Sequence, residues 1–175
     1  IDQIPGTWWP QDFLTIKYDS SGNQLWAKTY NGGGDDSLSG IGVDSAGNCY
    51  VAGTTDLGRY MWDQKWITIK YDSAGTKVWE AINDTITQNQ AFCYAIAVDS
   101  AGNSYVTGCS DRIYQPGEPW NYWSIVTVKY DSAGNKVWLA SYDGPVGGWD
   151  VGRDITLDSA GNVYVAGFVN YWVDN

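Results

Sequence analysis

One pentapeptide recurs six times along the chain, and that recurrence limits the possible folds more than any other feature. It reads DSSGN from Asp19, and DSAGN or DSAGT from Asp44, Asp72, Asp99, Asp131 and Asp158. The copies alternate between two contexts. The first is TIKYDSSGNQLW from Thr15, TIKYDSAGTKVW from Thr68 and TVKYDSAGNKVW from Thr127; the second is GIGVDSAGNCYVAG from Gly40, AIAVDSAGNSYVTG from Ala95 and DITLDSAGNVYVAG from Asp154. Equivalent copies stand 53 to 59 residues apart, so each period holds two hairpins. Asp at the head of a tight turn accepts from local amides, and Gly supplies the positive φ of a type I turn closed by a G1 bulge. The flanking runs alternate β-branched and aromatic residues, with no apolar spacing of helical period.

A four-stranded antiparallel unit repeating every 40 to 60 residues or so is the pattern of a β-propeller blade, so the expected fold is an all-β propeller. The two hairpins also resemble the seven-bladed β-propeller repeat family abbreviated SBBP, and more distantly the NHL type of blade. That resemblance covers nearly the whole chain. It implies an extracellular or cell-surface setting and assigns the AIAVDSAGNSYVTG-type hairpin to inner strands A and B, and the TIKYDSAGTKVW-type hairpin to outer strands C and D.

On this assignment residues 1–175 form one repeat domain: a CD hairpin at 12–30, whole blades at 38–82 and 92–142, and an AB hairpin at 151–168. Three blades' worth of strands cannot close a ring of four to eight, and one blade is split between the two ends. The unpaired edges, near Phe13 to Tyr18 and Val163 to Phe168, invite another chain. The expected partner is a second copy, whose terminal hairpin completes the split blade in a six-bladed ring of two chains or in a fibre. The alternative is that the chain is a piece of a longer propeller polypeptide. It starts at Ile1, which fits a processed product or a piece; GFVNYWVDN and IDQIPGTWWPQDF together look like one BC loop cut in the middle.

Composition narrows function by exclusion. Ten Lys and Arg against 20 Asp and Glu give a formal charge of −10, which disfavours a nucleic-acid partner. There are no His residues for an imidazole relay or His-ligated metal. No apolar run reaches the roughly 18 residues of a membrane span. Only Glu80 and Glu118 supplement the Asp residues, and the loop acids Asp35, Asp36, Asp63, Asp150 and Asp154 show no spacing that selects a glycosidase pair. The turns lack the repeated carboxylates of a calcium loop. The expectation is a protein without catalytic residues, cofactor or metal.

The aromatic excess, 11 Trp and 13 Tyr among 175 residues, divides in two. Trp26, Trp79 and Trp138 share one strand D position; counting symmetrically outward from each turn places them opposite Ile16, Ile69 and Val128, as aromatic against β-branched packing pairs. The others, Trp8, Trp9, Trp62, Trp66, Trp120, Trp123, Trp149 and Trp172, belong to long connections on the face opposite the tight turns. Two readings compete there: the loops bury their own aromatics or pack on a neighbouring subunit, or they bind glycans or a cell-surface protein. A sugar would stack on Trp while Asp63, Gln64, Asp111, Arg112 and Asn121 take its hydroxyls. The loops repeat the Trp but not these polar residues.

The same symmetric count sets Cys93 opposite Cys109, which predicts a cross-strand disulfide, and leaves Cys49 as a lone buried thiol. Asn83-Asp84-Thr85 is a candidate glycosylation sequon.

Overall fold

A computed structural model describes residues 10–57, 64–83, 90–111, 123–145 and 148–170 of the chain. Twelve strands and no helix occur among these residues. Strands β1 (Phe13–Tyr18) and β2 (Gln24–Tyr30) form a lone hairpin. Strands β3 (Asp36–Val43), β4 (Cys49–Asp56), β5 (Gln64–Tyr71) and β6 (Lys77–Asn83) form the first four-stranded antiparallel sheet, in chain order. Strands β7 (Ala91–Val98), β8 (Ser104–Asp111), β9 (Trp123–Tyr130) and β10 (Lys136–Tyr142) form the second, and β11 (Val151–Leu157) with β12 (Val163–Phe168) closes the series as another lone hairpin. The all-β propeller fold follows directly: two meander blades flanked by two half-blades.

All six tight turns have one geometry, and the repeated residues explain it. In each, the Gly amide donates to the Asp carbonyl at 2.9–3.1 Å and the Asp amide donates to the carbonyl of the fifth residue. The Gly φ lies between 79° and 88°, a region that a side chain disfavours. The Asp carboxylate then clamps the loop. At Asp131, for instance, Oδ1 accepts from the amides of Ala133 and Asn135, and Oδ2 accepts from Asn135 Nδ2.

These bonds stabilise the charged form. Asp19, Asp131 and Asp158 are held below the ordinary carboxylate range, foremost by the Asn side chain at the fifth position, and Asp72 foremost by the Thr76 amide. At Asp44 and Asp99 partial burial pushes upward, and hydrogen bonds from Asn48 and Tyr50, or Asn103 and Tyr105, outweigh it.

Each hairpin carries a bulge that symmetric counting from the turn does not foresee. In the CD hairpins the register shifts just beyond the turn, so Trp26, Trp79 and Trp138 stand opposite Lys17, Lys70 and Lys129. The expected pairing with Ile16, Ile69 and Val128 is therefore off by one residue. In the AB hairpins the shift lies deeper, at Ser39, Tyr94 and Arg153. One inserted residue swaps which side chains share a face beyond it.

Two cores hold neighbouring units together. Phe13 of β1 packs with Val51, Ile67, Ile69 and Tyr71 of the first blade. Trp66 and Ala52 of the first blade pack with Cys93, Val106, Val126 and Val128 of the second. Glycine admits the large rings: a Cβ built on Gly53 would lie 2.6 Å from the Phe13 ring, and one on Gly108 would lie 2.8 Å from Trp66. At the third junction Ile125, which holds the strand C position of Phe13 and Trp66, lies against a strand A glycine instead: a Cβ on Gly152 would come within 3.1 Å of it.

The sign of the pH dependence follows from the six turns. A carboxyl whose folded pKa is lowered adds stability that is fully present above its unfolded value, about 3.9, and lost as pH falls through the folded value. The urea midpoint is expected to stay level from neutral pH to about 5 and to drop below about 4. A midpoint unchanged to pH about 2 would contradict the clamp as a source of stability.

Candidate functional site

The aromatic residues expected on the loop-bearing face are distributed unevenly. Trp66 is not a loop residue: it lies within β5, is 1 % exposed and fills the gap over Gly108 between the blades. Trp123 opens β9 and is half-buried. It stacks on Trp149 with ring centroids 5.7 Å apart and meets Phe92 at 5.1 Å. Backbone bonds fix that stack, since the Trp123 amide donates to Gly148 O and the Asp150 amide donates to Trp123 O. Trp149 itself is 58 % exposed. Trp8, Trp9, Trp62, Trp120 and Trp172 lie outside the described residues, as do Asp63, Arg112 and Asn121. Gln64 begins β5 and lines a polar cleft of about 510 Å³ between the blades, with Asp35, Asp36 and Tyr94.

The acids of that face serve the backbone. Asp36 is buried, accepting from the Gly32 amide and from the Thr55 hydroxyl at 2.6 Å. Asp150 is equally buried and takes the Gly144 amide, while Asp154 accepts from the Ile155 amide.

The cysteine expectation is corrected. None of the three cysteines is in a disulfide, and all are buried. The bulge at Tyr94 sets Cys93 opposite Gly108 and Cys109 opposite Phe92. Because successive residues alternate faces, Cys93 points toward the first blade and Cys109 away from it. Cys93 joins the Trp66 cluster, and burial pushes its thiol up to about 12. Cys49 packs beside Val51 as expected of a lone thiol. Of the sequon, Asn83 closes β6 opposite Trp66 with its side chain buried, and Asp84 and Thr85 lie outside the described residues.

A repeated ladder, not assembled by sequence reasoning, spans both whole blades, and at two junctions its lysine and tryptophan reach the following blade. The Lys70 ammonium sits 5.0 Å from the Tyr50 ring centre, and Trp79 meets the same Tyr edge-on at 6.0 Å. The second blade repeats this with Lys129 over Tyr105 at 5.0 Å and Trp138 at 6.1 Å. Lys70 Nζ and Trp79 Nε1 then both donate to Ser132 O, in the CD turn of the following blade. Lys17 and Trp26 do the same to Ser73 O. The signal was present in the sequence as Lys two before each CD-turn Asp, Trp seven after it, and Tyr six after each AB-turn Asp.

Two half-blades interrupt this pattern, and their exposure is unlike that of the whole ones. Tyr164 of β12 is 55 % exposed where its repeat equivalents Tyr50 and Tyr105 are 0 % and 3 % exposed. Tyr18 of β1 is 55 % exposed, whereas Tyr71 and Tyr130 are each 4 % exposed. Ile41, on the side of β3 that faces the half-blade β1–β2, is 56 % exposed against 6 % for Ile155.

Residues 85–113, spanning the AB hairpin of the second blade, match the family model of the SBBP beta-propeller repeat. No curated protein matches the chain. Buried thiols outside any disulfide predict that the native protein reacts slowly with a thiol reagent and that all three sulfurs titrate on unfolding without reductant. One reactive thiol per unfolded chain would restore the disulfide.

Proposed function

The chain is a β-propeller repeat protein carrying an SBBP repeat, and from that premise we propose that it is a non-catalytic structural or adhesive protein whose copies join by completing each other's half-blades. The observation that carries this reading is the contrast at equivalent positions, where strand B is buried in both whole blades and exposed in β12. Among the described residues, β12 has no strand C neighbour and β1 has no strand B neighbour. Each therefore offers a ladder of unpaired backbone groups. Carrying over the register of β4 with β5, in which Val51 faces Ile69, sets Val165 of one copy opposite Ile16 of another.

Side-chain chemistry fits the same union. An apolar groove of about 350 Å³ opens between β9, β10 and β12, lined by Ile125, Thr127, Tyr142 and Val165. At the first junction the corresponding space is filled by Ile67, Ile69 and Tyr71. Leu14, Ile16 and Tyr18 hold those repeat positions in β1 and face away from the first blade. A second copy's AB hairpin would likewise cover Ile41 and Val43. The union is head to tail, giving a six-bladed ring of two chains or an open fibre. Covering Leu14, Ile16, Tyr18, Ile41 and Val43, at roughly 1.5–3 kcal/mol for each large apolar side chain when fully buried, supplies a driving force comparable to that of a stable interface before entropic costs.

The setting proposed is outside the cell or at its surface, on the strength of the family resemblance; neither the cysteines nor Asn83 adds to it. A second reading, glycan binding, is favoured by the Trp149–Trp123 stack, whose outer ring is open to solvent. A screen of glycans against the protein and its Trp149→Ala variant tests it, and absence of any Trp149-dependent binding would remove it.

Sedimentation and negative-stain imaging test the principal reading. Wild type is expected to form rings or fibres, and Val165→Asp, which sets a charge in an apolar joint at a site already partly exposed in the single chain, is expected to sediment as a folded monomer. A wild-type monomer at high concentration would refute blade completion.

A further inference from the structure

Two of the three internal junctions share a contact that strand pairing does not require, a tryptophan seated on a glycine turn. Trp26 lies on the turn of the first blade, where a Cβ on Gly75 would come within 2.8 Å of the indole. Trp79 lies on the turn of the second blade, where a Cβ on Gly134 would come within 2.8 Å. At both seats the indole N–H donates to the Ser carbonyl two residues before the glycine, at 3.2 and 3.1 Å. Lysine from the paired strand donates to that same oxygen at 2.9 and 3.1 Å. Each seat thus combines a ring against a bare backbone with two donors, one charged, on a single carbonyl.

The series has one seat left over and one tryptophan left over. Gly22, at the same turn position in the β1–β2 hairpin, has φ +85 like the others, yet a Cβ there would meet nothing within 4 Å. Trp138 occupies the strand D position of the second blade, with Lys129 opposite it. The half-blade β11–β12 that follows has no CD turn among the described residues. We infer that Trp138 and Lys129 of one copy dock on the Ser20–Gly22 turn of a second copy, both donating to Ser20 O, and that this contact selects the partner turn. The inference rests on blade completion as proposed above, and locates its contacts away from the β12–β1 backbone ladder.

The geometry also explains why the seat demands its residues. Any side chain at Gly22 would stand where the indole belongs, as at Gly75 and Gly134. The Tyr18 ring of the incoming copy would complete the contact, since Trp26 meets Tyr71 at 6.2 Å and Trp79 meets Tyr130 at 6.3 Å. Trp138 would then lie between Tyr105 of its own blade and Tyr18 of the partner copy.

Association constants from sedimentation equilibrium provide the test, with Leu139→Ala as control because Leu139 projects from the opposite face of β10. Trp138→Ala is expected to weaken association by about tenfold or more, as for a central aromatic anchor, and Trp138→Phe by less, while Leu139→Ala leaves it near the wild-type value. Association unchanged in Trp138→Ala, with Val165→Asp still monomeric, would overturn the Trp138 seat and leave blade completion standing. A monomeric wild type would overturn both. Should Trp138→Ala fail to fold, a photo-crosslinking benzoylphenylalanine at position 138, in a mixture of isotope-labelled and unlabelled chains, gives the independent readout. Capture between chains at residues 18–22 supports the seat, and capture elsewhere or only within a chain overturns it.

Discussion

The Asp clamp on a positive-φ glycine is the interaction on which the other features depend. By binding two amides and a side-chain amide, a carboxylate such as that of Asp131 makes a tight turn with one admissible shape. That shape orients the second-position carbonyl, Ser73 O or Ser132 O, outward toward the preceding blade. It also leaves a glycine whose missing side chain is the flat floor of the seat. One turn sequence therefore closes a hairpin and prepares an inter-blade contact, and this is why it recurs with so little change while the long connections do not.

The chain's short-range order was legible because its signals are local. Strand positions, turn type and the division into two whole and two half blades follow from the spacing of the DSxGN copies and the alternation beside them. Side-chain partners were less legible, because bulges act at a distance. An extra residue at Tyr94 moves Cys93 and Cys109 to opposite faces of one sheet, although counting from the turn pairs them. The bulge beside Tyr71 likewise puts Lys70 opposite Trp79 and so creates the cation, ring and carbonyl ladder. Trp66 was misplaced for a different reason: the β5 strand takes in Gln64 to Trp66, three residues that read as loop, and only the tertiary partner Gly108 reveals why a large ring lies there.

Exposure in this protein is meaningful because the chain supplies its own standards. A tyrosine half open to solvent is ordinary in isolation. Tyr164 is informative because two residues of the same type at the same repeat position are buried. The argument holds separately for Tyr18, for Ile41 and for the Gly22 turn, which belong to different strands and different faces. A single missing element accounts for all of them, whereas four independent surface accidents would be needed otherwise.

Directionality follows from the unlike character of the two half-blades. β11–β12 can supply only the inner pair of strands and β1–β2 only the outer pair, so like ends cannot pair in a two-fold contact at one site. In the proposed assembly every union would use one of each, and a chain of unions would leave one of each at its ends. Such a system either closes upon itself or continues, and the choice rests on the rotation between successive blades. Four to eight blades fit around a channel, and copies contributing three blades' worth of strands each, joined as proposed, would reach that range only as a pair, at six. The two glycine-admitted junctions within the chain, Phe13 on Gly53 and Trp66 on Gly108, carry different ring sizes at the same place, and the third carries Ile125.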